Sequence, residues 1–396
     1  MKKTFYLICF SLLGLGIFSC QKDESPEVVP SRDPIEFSIR SIKTKGVNPL
    51  NDRSELKEQG FGLSAWYSPN DIAFDTNSKS YVINHRFGTL DTDLSTAKWQ
   101  GLAKNGDTFT PDPIFYPLDG SLSFFCYAPY SSGSDQESNV CVIDQPEASI
   151  TNKLDDYLKG SPLIRFTPDA VSGKQIDFIA SNPVLNWTKK EGVALLDFSQ
   201  HLTTRIQFHC NYNGFVNAGE RVVISEITIR DVVSSEYLYF TQKGDNLGYR
   251  WGEGVSPVDG SSSMPLTSYS LNLSADDLSN SELPLKEGLD PEFRFVNETV
   301  NGRLYLLPQS FPIGSVAALD ITYEIWNDQN VAVEVNTLSY PLAGKTEWKP
   351  GDTVAYYITI TVAERKELDI QTVVINGWED AENKIDSDEN EQEIMY

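Results

Sequence analysis

The stretch VAYYITITV, residues 354–362, decides how this chain is read. Val354, Tyr356, Ile358, Ile360 and Val362 fall at every second position. Successive side chains of a strand point to opposite faces, so a period of two predicts a β-strand with one apolar face. Working outward, the same alternation returns in AALDITYEIW, where Leu319, Ile321, Tyr323 and Ile325 share a face. It returns again near the start, where Ile35, Phe37 and Ile39 alternate with Glu36, Ser38 and Arg40. EITIRDV and LDIQTVVING add further short runs, and Gly, Asn, Asp and Pro separate them. Only SELKEQ and NKLDDYLKG promise a helical turn or two. The expected fold class is all-β, built as sandwiches.

A chain of 396 residues is too long for one core, so two domains are expected. SNPVLNWTKKEG, residues 181–192, is rich in breakers and lies between IDFIA and VALLDFSQHLTTRIQFHC. It places the division between an N-terminal domain at 35–186 and a C-terminal domain at 187–379. The closing run, 380–396, is dominated by acidic residues and reads as a solvated, disordered tail.

The chain opens with MKKTFYLICFSLLGLGIFS, residues 1–19. Two lysines precede an apolar run shorter than the roughly 20 residues a membrane helix needs, which is the form of a secretory signal. Its end, with Ile17, Ser19 and then Cys20, resembles the lipobox of bacterial lipoproteins, in which the cysteine is lipidated. An ordinary signal with an incidental cysteine is the alternative. Residues 20–34 are polar and proline-bearing, as a tether would be. Within them Gln21, Lys22, Asp23 and Glu24 resemble the charged export tag of surface lipoproteins in Bacteroidetes. The net charge is -24, and loss of the signal removes two lysines and no acid. Such a surface repels phosphate backbones and anionic head groups. No nucleic-acid partner is expected, and the lipid on Cys20 would hold the protein on the membrane.

Catalytic chemistry finds little support. The histidines are His85, His201 and His209. If the last two share one strand they stand roughly 26 Å apart, too far for a common metal. No metal-ligand spacing, phosphate-cradling loop, GxSxG or calcium loop occurs. No enzyme activity and no cofactor are expected. Trp66, Tyr67, Trp99, Trp251 and Trp326 offer surfaces on which sugars could stack, against the plainer assignment to sandwich cores. Cys126 and Cys141 could pair across neighbouring strands, worth about 3 kcal/mol, or remain free thiols.

Several stretches together resemble one family. FYPLDGSLSFFCYAP (115–129) resembles the aromatic-proline signature of fimbrillin-like (Mfa-like) proteins, with Cys126 where alanine is more usual. IDFIAS resembles the element closing their first domain. ALLDFSQHLTTRIQF resembles the strand opening their second, with one extra residue between Phe198 and His201. LYLLPQSF, EWKPGDTVAYYITITV and VVINGW, ending at Trp378, follow in the family's order.

The resemblance implies two tandem transthyretin-like β-sandwich domains in an outer-membrane lipoprotein, and for many members a subunit of a type V pilus. In such subunits a trypsin-like protease cuts after a basic residue beyond the first strand, and another subunit's strand fills the gap. Here the strand that would leave carries Ile35, Phe37 and Ile39, and the candidate cuts follow Arg40, Lys43, Lys45 and Arg53. Lys45 occupies the expected place, which disfavours a purely arginine-specific enzyme. The acidic tail is a poor donor strand. Other pilus subunits or further copies are the partners implied. The alternative is a permanently anchored surface lipoprotein that binds glycan or host protein.

Overall fold

The structure is a computed structural model and describes residues 30–40, 53–70, 72–132, 139–198, 200–214, 216–252, 263–272, 294–296, 304–345, 347–362 and 367–376. The signal, Cys20, the Gln21–Glu24 tag, Lys43, Lys45, Trp378 and the acidic tail lie outside the described residues. The fold is all-β, as the alternation requires. Of the two expected helical turns, the first is the helix Arg53–Gln59. The second does not form: NKLDDYLKG holds turns and a bridge from Tyr157 to Thr241, and a single helical turn stands just ahead of it at Ala148–Thr151.

The first core is built on both faces of one sheet. Its strands run in the order Ile179–Ala180, Ser121–Ala128, Phe61–Ser68, Lys79–Gly88, Gln100–Asn105 and Thr108–Pro111. Phe61–Ser68 and Ser121–Ala128 are buried along their whole length. On one face Phe61, Leu63, Leu122 and Phe124 pack with Ile35, Phe37 and Ile39. On the other, Trp66, Phe125 and Tyr127 pack against Ile164, Phe166, Leu238 and Phe240. Those last four come from a separate sheet made of Val140–Ile143, Leu163–Phe166, Glu236–Lys243 and Asn246–Trp251.

A second core lies between two further sheets. One places Thr204–Asn213 parallel to Asp352–Thr361, which pairs in turn with Glu367–Asn376. The other sets Leu266–Asn272, Arg221–Val233, Ala318–Trp326 and Ala332–Pro341 side by side. Ile206, Phe208, Val354, Tyr356 and Ile358 meet Ile227, Ile229, Leu319, Ile321 and Tyr323 in one cluster. Each such side chain contributes roughly 1.5–3 kcal/mol of burial. The opening stretch is buried more fully than its alternation suggests. Its second face is covered too, with Tyr357 stacked on His209 at 4.6 Å.

Several pairings cross the expected division at 186/187. Ala194–Leu196 runs parallel to Phe37–Ile39, and Leu163–Phe166 pairs with Glu236–Lys243. The Leu202 amide donates to the Phe178 carbonyl at 2.8 Å. His201 Nδ1 and Asp177 Oδ2 meet at 2.7 Å, both side chains buried. His201 therefore does not share a strand with His209: the strand begins at Thr204, and His201 bridges Ile179 instead. The breaker-rich stretch also holds regular structure, since Val184–Trp187 pairs with Ser121–Ala128 before a 3₁₀ turn at Lys189–Glu191.

Candidate strand-exchange site

The segment 30–40 lies in a seat assembled from distant parts of the chain. Pro30–Pro34 pairs with Phe115–Pro117, and the Ile35 amide donates to the Ile114 carbonyl at 2.7 Å. Phe37 and Trp99 exchange backbone hydrogen bonds of 2.9 and 3.0 Å. On the other side Phe37–Ile39 pairs with Ala194–Leu196, and the Arg40 amide reaches the Leu196 carbonyl at 2.9 Å. The segment is thus an internal strand, bonded along both edges.

Alternation divides its side chains. Ile35 and Phe37 are fully buried and Ile39 is 3% exposed. The Phe37 ring stands edge-on to Phe124, Phe87 and Phe61, with centroids 5.0, 5.5 and 6.3 Å away. These are favourable aromatic geometries at the centre of the first core. The intervening residues carry the charge: Glu36 pairs with Lys98 at 2.8 Å and Arg40 with Asp197 at 3.2 Å. Asp33, nearer the start, pairs with Lys189 at 3.2 Å. The hydrogen bond to Glu36 is the main cause that holds the Lys98 ammonium above its ordinary pKa. Beside them the Tyr116 hydroxyl is pushed up to about 12, chiefly by burial and then by Glu191 and Glu36.

The four candidate cuts differ in their surroundings. The Arg40 side chain is 65% exposed and sits where the strand ends. Lys43 and Lys45 follow outside the described residues. Arg53 is different: it opens the helix Arg53–Gln59, and its guanidinium donates to the carbonyls of Ile39 at 2.7 Å and Leu94 at 2.6 Å. A side chain so engaged, on helical backbone, is poorly placed to enter a protease pocket. It clamps the end of the first strand instead. Arg53, Lys98, Lys189 and Asp197 have no local sequence signal as strand-holding residues, because each acts across a long sequence separation.

The cysteines and aromatics are placed as follows. Cys126 and Cys141 are free thiols. They do not lie on neighbouring strands, since Ser121–Ala128 pairs with Phe61–Ser68 while Val140–Ile143 pairs with Leu163–Phe166. Burial pushes the Cys126 thiol pKa well up. Trp66, Tyr67, Trp99 and Trp251 are buried core residues. The Trp251 indole donates to the Leu202 carbonyl at 2.9 Å. Trp326 is half-buried, with the Arg221 guanidinium 5.3 Å over its ring.

No helix among the described residues is long and apolar enough to cross a membrane. Comparison with known proteins gives a consistent result. The fimbrillin-like family model matches residues 70–378. Among solved structures, a candidate cell adhesion protein from Bacteroides uniformis aligns at 12% identity and a TM-score of 0.42. The alignment covers 88% of this chain and 99% of that one. A second, from Bacteroides ovatus, aligns at 15% identity and a TM-score of 0.41, covering 88% and 98%. No curated protein matches the chain. The family is of fimbrillin type and is not an enzyme family. With more than half its length matched, this chain belongs to the fimbrillin-like family.

Proposed function

We propose that this protein is an adhesive subunit of a type V pilus, exported to the outer membrane as a lipoprotein on Cys20. Gln21, Lys22, Asp23 and Glu24 serve as its surface-export tag. A cut after Arg40, Lys43 or Lys45 frees the first strand, and a strand from another subunit takes its place. The reading is carried by one observation: Ile35, Phe37 and Ile39 are buried in the core, and the strand ends at an exposed basic residue. Removing three such side chains exposes apolar surface worth about 5–9 kcal/mol. It also leaves backbone groups unpaired along both edges of the seat, which an incoming strand satisfies by β-strand addition.

Mass spectrometry of the mature N-terminus, taken from the surface of the producing cell, tests this. An unlipidated terminus after Arg40, Lys43 or Lys45 is the expected result. An acylated Cys20 as the only species would set strand release aside and leave a permanently anchored binder or a pilus base. The binder reading has a structural basis in a cleft of about 410 Å³ lined by Gln200, Leu202, Tyr239, Tyr249, Arg250 and Trp251, among others. Sugar-dependent quenching of tryptophan fluorescence is its test.

A further inference from the structure

Acidic residues outnumber basic ones by 56 to 32 in this chain, yet the first strand's two outward acids meet lysines. Glu36 is the more enclosed of the two, with its side chain 21% exposed against 60% for Asp33. It lies between the buried Ile35 and Phe37, so its position is fixed by the two residues that any occupant of the seat must bury. Lys98 reaches it from the residue next to Trp99, whose backbone pairs with Phe37. The lysine is therefore tied to the register of the strand it touches. Its other carboxylate neighbour, Asp91, accepts from the Lys98 amide at 3.0 Å and is the weaker influence on the ammonium. Glu191 and Glu36 both act on the Tyr116 hydroxyl beside them, and removal of Glu36 takes away the larger of the two carboxylate influences on Lys98.

Resting on the strand-exchange reading, we infer that Lys98 is a specificity-determining residue of the vacated groove. It selects incoming strands that carry Asp or Glu between two apolar residues, in the order apolar, acidic, apolar, polar, apolar. The Lys98 side chain is 64% exposed and can swing toward solvent. A lysine or arginine at the acidic position therefore loses the ion pair and meets a screened repulsion, a common means of excluding wrong partners. The apolar positions supply affinity to many strands. The charge chooses among them and fixes their register.

The test uses the full chain nicked by trypsin between residues 40 and 53 and freed of its N-terminal segment in mild urea, with the cut and the loss of the segment confirmed by mass. Two fluorescent peptides of residues 33–40 are offered, one native and one carrying Glu36→Lys, and uptake is followed by anisotropy. The expected result is about three- to fivefold tighter binding of the native peptide. In the nicked Lys98→Glu chain the preference is expected to reverse. Equal binding of the two peptides, unchanged by Lys98→Glu, would overturn the selection while leaving strand exchange intact. If neither peptide enters, strand exchange fails and the selection fails with it.

Discussion

Phe37 shows how a single residue ties sequence to function. Its ring fills a site bounded by three phenylalanines, and it is fully buried. Phe37→Ala is expected to lower stability by about 3–5 kcal/mol, the range for emptying an aromatic site in a packed core. Urea unfolding of the full chain measures this, and a loss under about 1 kcal/mol would mean the strand is not seated as described. Arg53 acts at the same scale through hydrogen bonds. Arg53→Ala leaves the Ile39 and Leu94 carbonyls without that donor and is expected to cost about 1–3 kcal/mol. Trypsin should also release the first strand faster from that variant. The cysteines give a chemical readout: Cys126 and Cys210 are buried, and burial pushes both thiols up, while Cys141 is half-buried. A thiol reagent should label Cys141 in the native chain and reach Cys126 and Cys210 only after unfolding. Labelling of Cys141 that first required a reductant would show a disulfide.

At the scale of the element, the first strand is short, internal and bonded along both edges. Once the chain is cut after Arg40, the segment before the cut is held only by non-covalent contacts. Association then enters the folding equilibrium by mass action. The unfolding midpoint of the nicked chain is expected to rise with protein concentration, while that of the intact chain does not move. Equal behaviour of the two would show that the segment contributes little to the fold. Elements also explain what the sequence made legible. Ala318–Trp326 has one face in the core, so its alternation announces it. Phe61–Ser68 is buried on both faces, has no exposed polar face to set a period, and is hidden among its own aromatics. The family signature at 115–129 found its neighbour Ser121–Ala128 where alternation alone was silent. The parallel pairing of Ala194–Leu196 with Phe37–Ile39 joins residues far apart in the chain, and no local pattern encodes it. For the same reason the first strand is readable from its alternation, while Arg53 reads in the sequence as a candidate cut and its bonds to the Ile39 and Leu94 carbonyls are not legible there.

At the scale of the whole molecule, the two cores are stitched together. The hairpin Glu236–Trp251 completes a sheet with Leu163–Phe166, and Phe198 packs 5.5 Å from Phe61. The Tyr305 amide donates to Gln175 Oε1 at 2.7 Å, and Leu307 joins the cluster that holds Trp66 and Phe125. A fragment ending at residue 186 therefore lacks both the partner strand of Phe37–Ile39 and the hairpin that covers the opposite face of the central sheet. Its Phe124 face and its Phe125 face would each be left partly uncovered, and exposed apolar surface of that kind marks loosely packed, aggregation-prone states. The fragment 30–186 is expected to bind a hydrophobic dye and to lose the near-ultraviolet dichroism of its packed aromatics. A fragment 30–252, which restores both coverings, is expected to recover much of that signal. If the shorter fragment alone gave a sharp urea transition with native near-ultraviolet dichroism, the crossing strands would be accessories to an independent domain.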